Sequence, residues 1–200
     1  QTCALPIFYT RLVGEGRNVI LPYIEIKDGI FQMTGVAIFN KDKLTYVASI
    51  GEAQVINLLR ENMVSGIVHI QDKDGHNTNL DGISRKKVTC KKEGDKYKFD
   101  INILLESDII ENEIYKGVTN NPNITKRIEK DAEKVVKRAS DKFITKMKQD
   151  IKVDCLELGK VAAAKYGRKT DTDWNKVVCE SEINVNVKVK LRRVGRGMLR

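Results

Sequence analysis

The chain has 200 residues, 41% hydrophobic and 32% charged, with 3 Pro and 14 Gly. That is long enough to bury a real core, and the composition excludes collagen-like, low-complexity and wholly disordered classes. Lys and Arg number 36 against 27 Asp and Glu, for a net +9, and residues 101–200 hold 22 of the bases but 15 of the acids. A basic half marks a nucleic-acid surface, an anionic membrane surface or a Lys-rich solvated face, and the solvated face is the default. No stretch approaches the roughly 20 apolar residues of a membrane-spanning helix.

Residues 1–7 (QTCALPI) have neither the basic start nor the apolar core of a secretion signal, and they match one reading frame of a sequencing adapter. They are set aside as an artefact. Residues 8–22, including Gly14-Glu15-Gly16, read as a linker from a missing N-terminal domain, residues 23–195 as one domain, and 196–200 as a tail. A short alternating run, Tyr23–Lys27, follows Leu21-Pro22, and Phe31–Phe39 with Leu44–Ile50 reads as a β-hairpin turning at residues 40–43. A short helix is expected over Glu52–Asn62, with Ala53, Ile56 and Leu59 on one face.

Strands are expected at Ile67–Ile70, Leu80–Cys90, Lys96–Leu105 and Ile183–Leu191. In Tyr97, Phe99, Ile101 and Ile103, and again from Ile183 to Leu191, every second residue is apolar, so each strand has one covered and one wet face. Between them the 3.6 period predicts a long helix from about Ile124 to Lys152. Ile128, Val135, Phe143 and Met147 are its expected core residues. Its other face carries Lys126, Lys130, Lys134, Lys137, Arg138, Lys142, Lys146 and Lys148. Shorter helices are expected at Cys155–Tyr166 and Thr172–Cys179, the latter capped by Asp171 or Thr172. The fold class is α+β: an antiparallel sheet packed on one long helix of the C-terminal half, with short additional helices.

No catalytic, cofactor-binding or metal-binding residue is assigned. Cys3, Cys90, Cys155 and Cys179 lack zinc-ligand spacing, and nothing in the chain demands a disulfide. His69 and His76 sit in no hydrolase motif, and Gly14-Glu15-Gly16 lacks the third glycine and the Lys-Ser/Thr of a phosphate loop. Glu111 and Glu113 read as a solvated turn, and Asp171, Asp173 and Trp174 as helix-start acids with one packing indole. The long helix has bases but no aromatic among them, so no nucleic-acid reader is present and none is expected as partner. The alternatives are a basic module binding nucleic acid or a membrane surface, or an enzyme using His69 or His76.

The order of local signatures resembles the C-terminal domain of the Ger(x)C family, the C-subunit lipoproteins of spore germinant receptors. It is carried by Leu21-Pro22, by Gly35-Val36-Ala37-Ile38-Phe39 followed by Lys41-Asp42-Lys43-Leu44, and by Glu52. It continues with Gln149, Asp154, Leu156-Glu157-Leu158-Gly159, Asp173-Trp174 and the strand from Ile183 to Val194-Gly195. Cys179-Glu180-Ser181-Glu182 stands where the family often has an aromatic pair. The resemblance implies a non-enzymatic subunit of a nutrient receptor, lacking cofactors. Its implied partners are a membrane-spanning A subunit and a permease-like B subunit at the inner spore membrane. It also implies a lipid anchor in a missing N-terminal part; Cys3, without a lipobox, is not the anchored residue.

Overall fold

A computed structural model of the chain describes residues 9–118, 121–168 and 171–194. The described residues divide into two compact units: those within 1–60, 88–100 and 142–184 form the first, and those within 61–87, 101–141 and 185–194 the second.

The first unit opens with a three-stranded antiparallel sheet, β1 (Ile20–Lys27), β2 (Ile30–Asn40) and β3 (Lys43–Ser49), in that order. β1 and β2 are joined by Asp28-Gly29, both at positive φ (52° and 76°), the two-residue turn whose twist matches that of antiparallel strands. β3 runs directly into α1 (Ile50–Arg60) through a reciprocal cap: Glu52 accepts the Ser49 N–H at 2.9 Å, while the Glu52 N–H donates to Ser49 Oγ at 3.4 Å. Ala53, Ile56 and Leu59 are buried where α1 packs on β2 and β3, as their spacing predicts.

The second unit holds β4 (Val64–Gln71) and most of β5 (Asn77–Glu93), β6 (Lys96–Asn112) and β7 (Glu182–Val194), in sheet order β4-β5-β6-β7. β4 and β5 are antiparallel. Between β6 and β7 the side chains meet at one constant offset: Lys98 with Glu182, Asp100 with Asn184, Asn102 with Asn186, Asp108 with Arg192. A constant difference means parallel pairing, so this sheet is mixed. A parallel neighbour needs a long crossover, and the helices between Asn112 and Glu182 supply it.

That crossover begins with α2 (Pro122–Lys146), which starts with proline at its first turn behind Asn121, whose side chain accepts the Asn123 N–H. The helix loosens into a π turn at Met147–Ile151 and stops at Lys152, which is left-handed (φ 55°) and donates its N–H to the Met147 carbonyl. Ile128, Phe143 and Met147 are buried as expected, but Val135 is 37% exposed and Val136 takes its place. Burial follows the row 128, 132, 136, 140, 144, spaced by four, and Val135 lies on its flank. α3 (Leu158–Tyr166) begins later than the spacing suggested because Glu157 is left-handed. α4 (Trp174–Glu180) is capped by Asp173, which accepts the Lys176 N–H, and not by Asp171 or Thr172.

Each unit has its own buried apolar set. In the second, Ile70, Leu80, Leu105, Ile109, Ile128, Ala132 and Val189 cluster, bringing α2 onto the sheet. In the first, Phe99, Phe143, Met147, Leu156, Leu158 and Trp174 are among the buried residues.

Candidate functional site

The β1–β2 hairpin ends in an apolar face. Ile24 pairs with Met33 and Ile26 with Phe31, and these four alternate along their strands, so they share one side. Their exposures are 56%, 58%, 67% and 76%. The other side of the same ribbon carries Glu25, Lys27 and Gln32 beside Ile30. A bulge at Tyr23/Ile24, with Thr34 as the extra residue of β2, bends the ribbon where it leaves the buried part of the sheet. A contiguous group of four large apolar side chains at one tip stands out, because single exposed apolar residues are ordinary and clusters are not. The sequence treated Tyr23–Lys27 and Phe31–Phe39 separately; the Asp28-Gly29 dipeptide between two alternating runs was the signal that joins them.

The motif residues of the first unit prove to be structural centres. The Glu52 carboxylate accepts from Ser49, from Tyr46 Oη at 3.2 Å and from Lys146 Nζ at 2.6 Å, with the ammonium 4.8 Å from the Tyr46 ring centroid. Burial pulls its pKa up, but Lys146 and the Ser49 N–H outweigh that and hold it below the usual range. Asp154 is wholly buried and accepts the N–H groups of Leu156 (2.9 Å) and Gly159 (2.8 Å). Desolvation nevertheless pushes its pKa up to about 6. Its backbone is held by Asn18 and Asn175, whose side chains bond each other at 2.7 Å. Next to it, Arg60 reaches Glu157 at 2.9 Å with both side chains largely covered.

Two glycines of these motifs are required by close approach. A Cβ on Gly35 would stand 1.9 Å from the Ala48 carbonyl oxygen, and one on Gly159 2.7 Å from Trp174 Cβ. Gly16 packs on Gly159 from the other side and accepts the Lys160 N–H at 2.9 Å, so the Gly14–Gly16 loop is docked rather than loose. Trp174 is buried and its indole N–H donates to Glu15 at 3.0 Å.

The remaining candidates stay apart. His69 Nδ1 lies 2.6 Å from Asn79 Oδ1 on the surface, and Asn79 in turn donates to Glu111. Glu113 accepts the Asn77 N–H at 2.8 Å, so both glutamates brace strand ends. His76 meets Asp72 at 3.1 Å; with Asp74 they form an exposed carboxylate and imidazole group inside one turn, which the turn geometry itself explains. Cys90, Cys155 and Cys179 are free thiols, all raised in pKa by burial, Cys179 to about 11. That makes them poor nucleophiles at neutral pH. Cys3 lies outside the described residues.

On the basic helix face, Lys134 pairs with Asp131 at 3.0 Å and Lys137 with Asp141 at 2.9 Å. Lys148 donates to the Ser181 carbonyl at 2.7 Å. A second basic surface went unread in the sequence. On the exposed side of the mixed sheet, Arg85 and Lys87 of β5 and Lys188 and Lys190 of β7 flank a shallow groove floored by Asn102 and Leu104 of β6.

The scaffold is α+β, with an exposed apolar hairpin and motif residues engaged in structural contacts. The chain belongs to the family described as spore germination B3/GerAC like, C-terminal, whose model matches residues 34–195. Its fold is similar to that in the crystal structure of the GerBC protein, with a TM-score of 0.79 at 17% identity over 92% of this chain. The chain spans 59% of that protein's length. No curated protein matches it.

Proposed function

We propose that this domain is a non-enzymatic subunit of a nutrient germinant receptor, acting through protein–protein contacts at the inner spore membrane. Its partners in this reading are the membrane-spanning A subunit and the permease-like B subunit, and a lipid anchor in a preceding part of the protein holds it at the bilayer. The observation that carries the reading is the exposed face of Ile24, Ile26, Phe31 and Met33. Four clustered apolar side chains held on a cross-strand ribbon gain most from covering by another protein surface. Family membership supplies the setting.

The test replaces Phe31 with a photo-crosslinking residue in the spore-forming host. Capture of another receptor subunit supports the reading. Normal germination of spores carrying Phe31→Asp with Met33→Asp, at unchanged protein level, overturns it. A second reading, attraction to an anionic bilayer, is favoured by the four basic side chains on the open face of β5 and β7.

A further inference from the structure

The two edges of the four-stranded sheet are treated in opposite ways. At one edge, α2 lies along β7: Glu133 accepts the Val189 N–H at 3.1 Å and Glu129 the Leu191 N–H at 2.9 Å. Residues four apart on a helix and two apart on a strand advance by nearly the same distance, about 6 to 7 Å, so successive carboxylates meet successive outward N–H groups. β7 also bears Lys188, Lys190 and Arg192, the side chains that discourage another strand from adding.

At the other edge, β4 reads Val64-Ser65-Gly66-Ile67-Val68-His69-Ile70-Gln71, eight residues without a Lys, Arg, Asp, Glu or Pro in a chain that is 32% charged. β4 pairs with β5 on one side, and among the described residues no strand pairs with the other. Ser65, Gly66, Ile67 and His69 are exposed, Ile67 by 52%. A Cβ on Gly66 would meet nothing within 4 Å. Of the devices that keep edge strands from pairing, charge and a covering element are present at β7, whereas at β4 charge, proline and, among the described residues, a covering strand are all absent.

We infer that β4 pairs antiparallel with β4 of a second copy of this chain, joining two four-stranded sheets into one of eight. A two-fold axis through Ile67 sets Ile67 on Ile67, Gly66 on Val68, Ser65 on His69 and Val64 on Ile70. This register keeps Val64, Gly66, Val68 and Ile70 on one face and Ser65, Ile67 and His69 on the other, and it opposes no like charges. The same operation at β7 would set lysine near lysine. An isologous strand pair is self-complementary, as a two-fold interface must be. Because each copy carries +9, repulsion elsewhere opposes the pairing, so it tightens as salt screens that repulsion.

The test is sedimentation equilibrium of the chain over a range of concentrations, at low and at high salt. The expected result is a monomer–dimer equilibrium that shifts toward dimer at high salt. Ile67→Lys, with unchanged circular dichroism, weakens it by roughly tenfold or more, whereas Ile26→Lys in the hairpin leaves it unchanged. In the unsubstituted chain, hydrogen exchange at β4 amides slows as concentration rises. A monomer at every concentration overturns the inference, as does a dimer that loosens with salt or one lost with Ile26→Lys and kept with Ile67→Lys. These outcomes are independent of whether the hairpin binds a receptor subunit.

Discussion

Glu133 of α2 accepts the backbone N–H of Val189 at 3.1 Å, so a helix side chain completes a strand edge that pairs with no further strand among the described residues. Glu129 repeats the contact at Leu191. Replacing both by Ala leaves two part-covered donors without acceptors and is expected to cost about 1 to 3 kcal/mol, measured by chemical denaturation. Gln at both positions keeps a carbonyl in place and costs less. A loss under about 0.5 kcal/mol for the double Ala variant shows that water serves these N–H groups equally well.

The pair formed by Arg60 and Glu157 is 3% and 16% exposed at its side chains. Burial raises the Glu157 carboxyl, but Arg60 and Lys160 outweigh it and hold it below the usual range. Glu157→Ala removes the carboxylate bonded to a covered guanidinium and is expected to cost about 3 to 5 kcal/mol. Replacing the two together by Met and Leu should cost much less, which a double-mutant cycle reads directly. Additive losses in that cycle would show that the two side chains act separately.

Phe143 and Val135 test the helix face. Phe143 is 3% exposed, and its truncation to Ala is expected to cost about 3 to 5 kcal/mol, whereas Val135→Ala, at a position 37% exposed, should cost about 0.5 kcal/mol or less. Equal losses at the two sites would contradict the burial row through Ala132 and Val136.

Asp154 gives the chain a pH dependence opposite to that of its other shifted carboxylates. Its folded pKa, about 6, lies above the unfolded value of 3.8, so its stabilising effect is complete below about pH 4 and is lost as pH rises through 6. A rise of two units corresponds to about 3 kcal/mol. Glu52 and Glu157 are depressed instead, so their contributions stand above their unfolded values and disappear as pH falls. Subtracting the stability of Asp154→Asn from that of the unsubstituted chain isolates the Asp154 part. The difference should fall by about 3 kcal/mol between pH 3 and 7. A difference that is flat with pH would place Asp154 at an ordinary pKa.

The elements were legible because their periods were clean: Tyr97, Phe99, Ile101 and Ile103 are on the covered side of β6, and Ala53, Ile56 and Leu59 fill the face of α1. The hairpin Gly35–Leu44 and the family resemblance were legible in the same way, from local order. The parallel pairing of β6 and β7 was not, because alternation reports which face is covered and says nothing of strand direction. The apolar tip was missed for a related reason. Ile24, Ile26, Phe31 and Met33 alternate as core residues do, and only the tertiary fold shows them exposed. Asp154 sits in a motif that could be quoted from the sequence, but a carboxylate buried among backbone N–H groups has no periodic signature.

The last prediction separates the two basic surfaces. On α2, Lys134 and Lys137 are already paired with Asp131 and Asp141, which reduces what they add to an external field. On the sheet, Lys87, Lys188 and Lys190 are exposed with Arg85 around one groove, and Arg85 meets the Glu106 carboxylate at 3.5 Å. If the domain sits beside an anionic leaflet, each sheet base near the surface adds roughly 1 kcal/mol of attraction, screened by salt. The chain is therefore expected to co-sediment with vesicles containing phosphatidylserine at low salt and to be released at high salt. Lys188→Glu with Lys190→Glu should abolish that binding, whereas Lys134→Glu with Lys137→Glu should weaken it less. Equal binding to neutral vesicles, or equal loss from the two pairs, removes the sheet face from the membrane-surface reading.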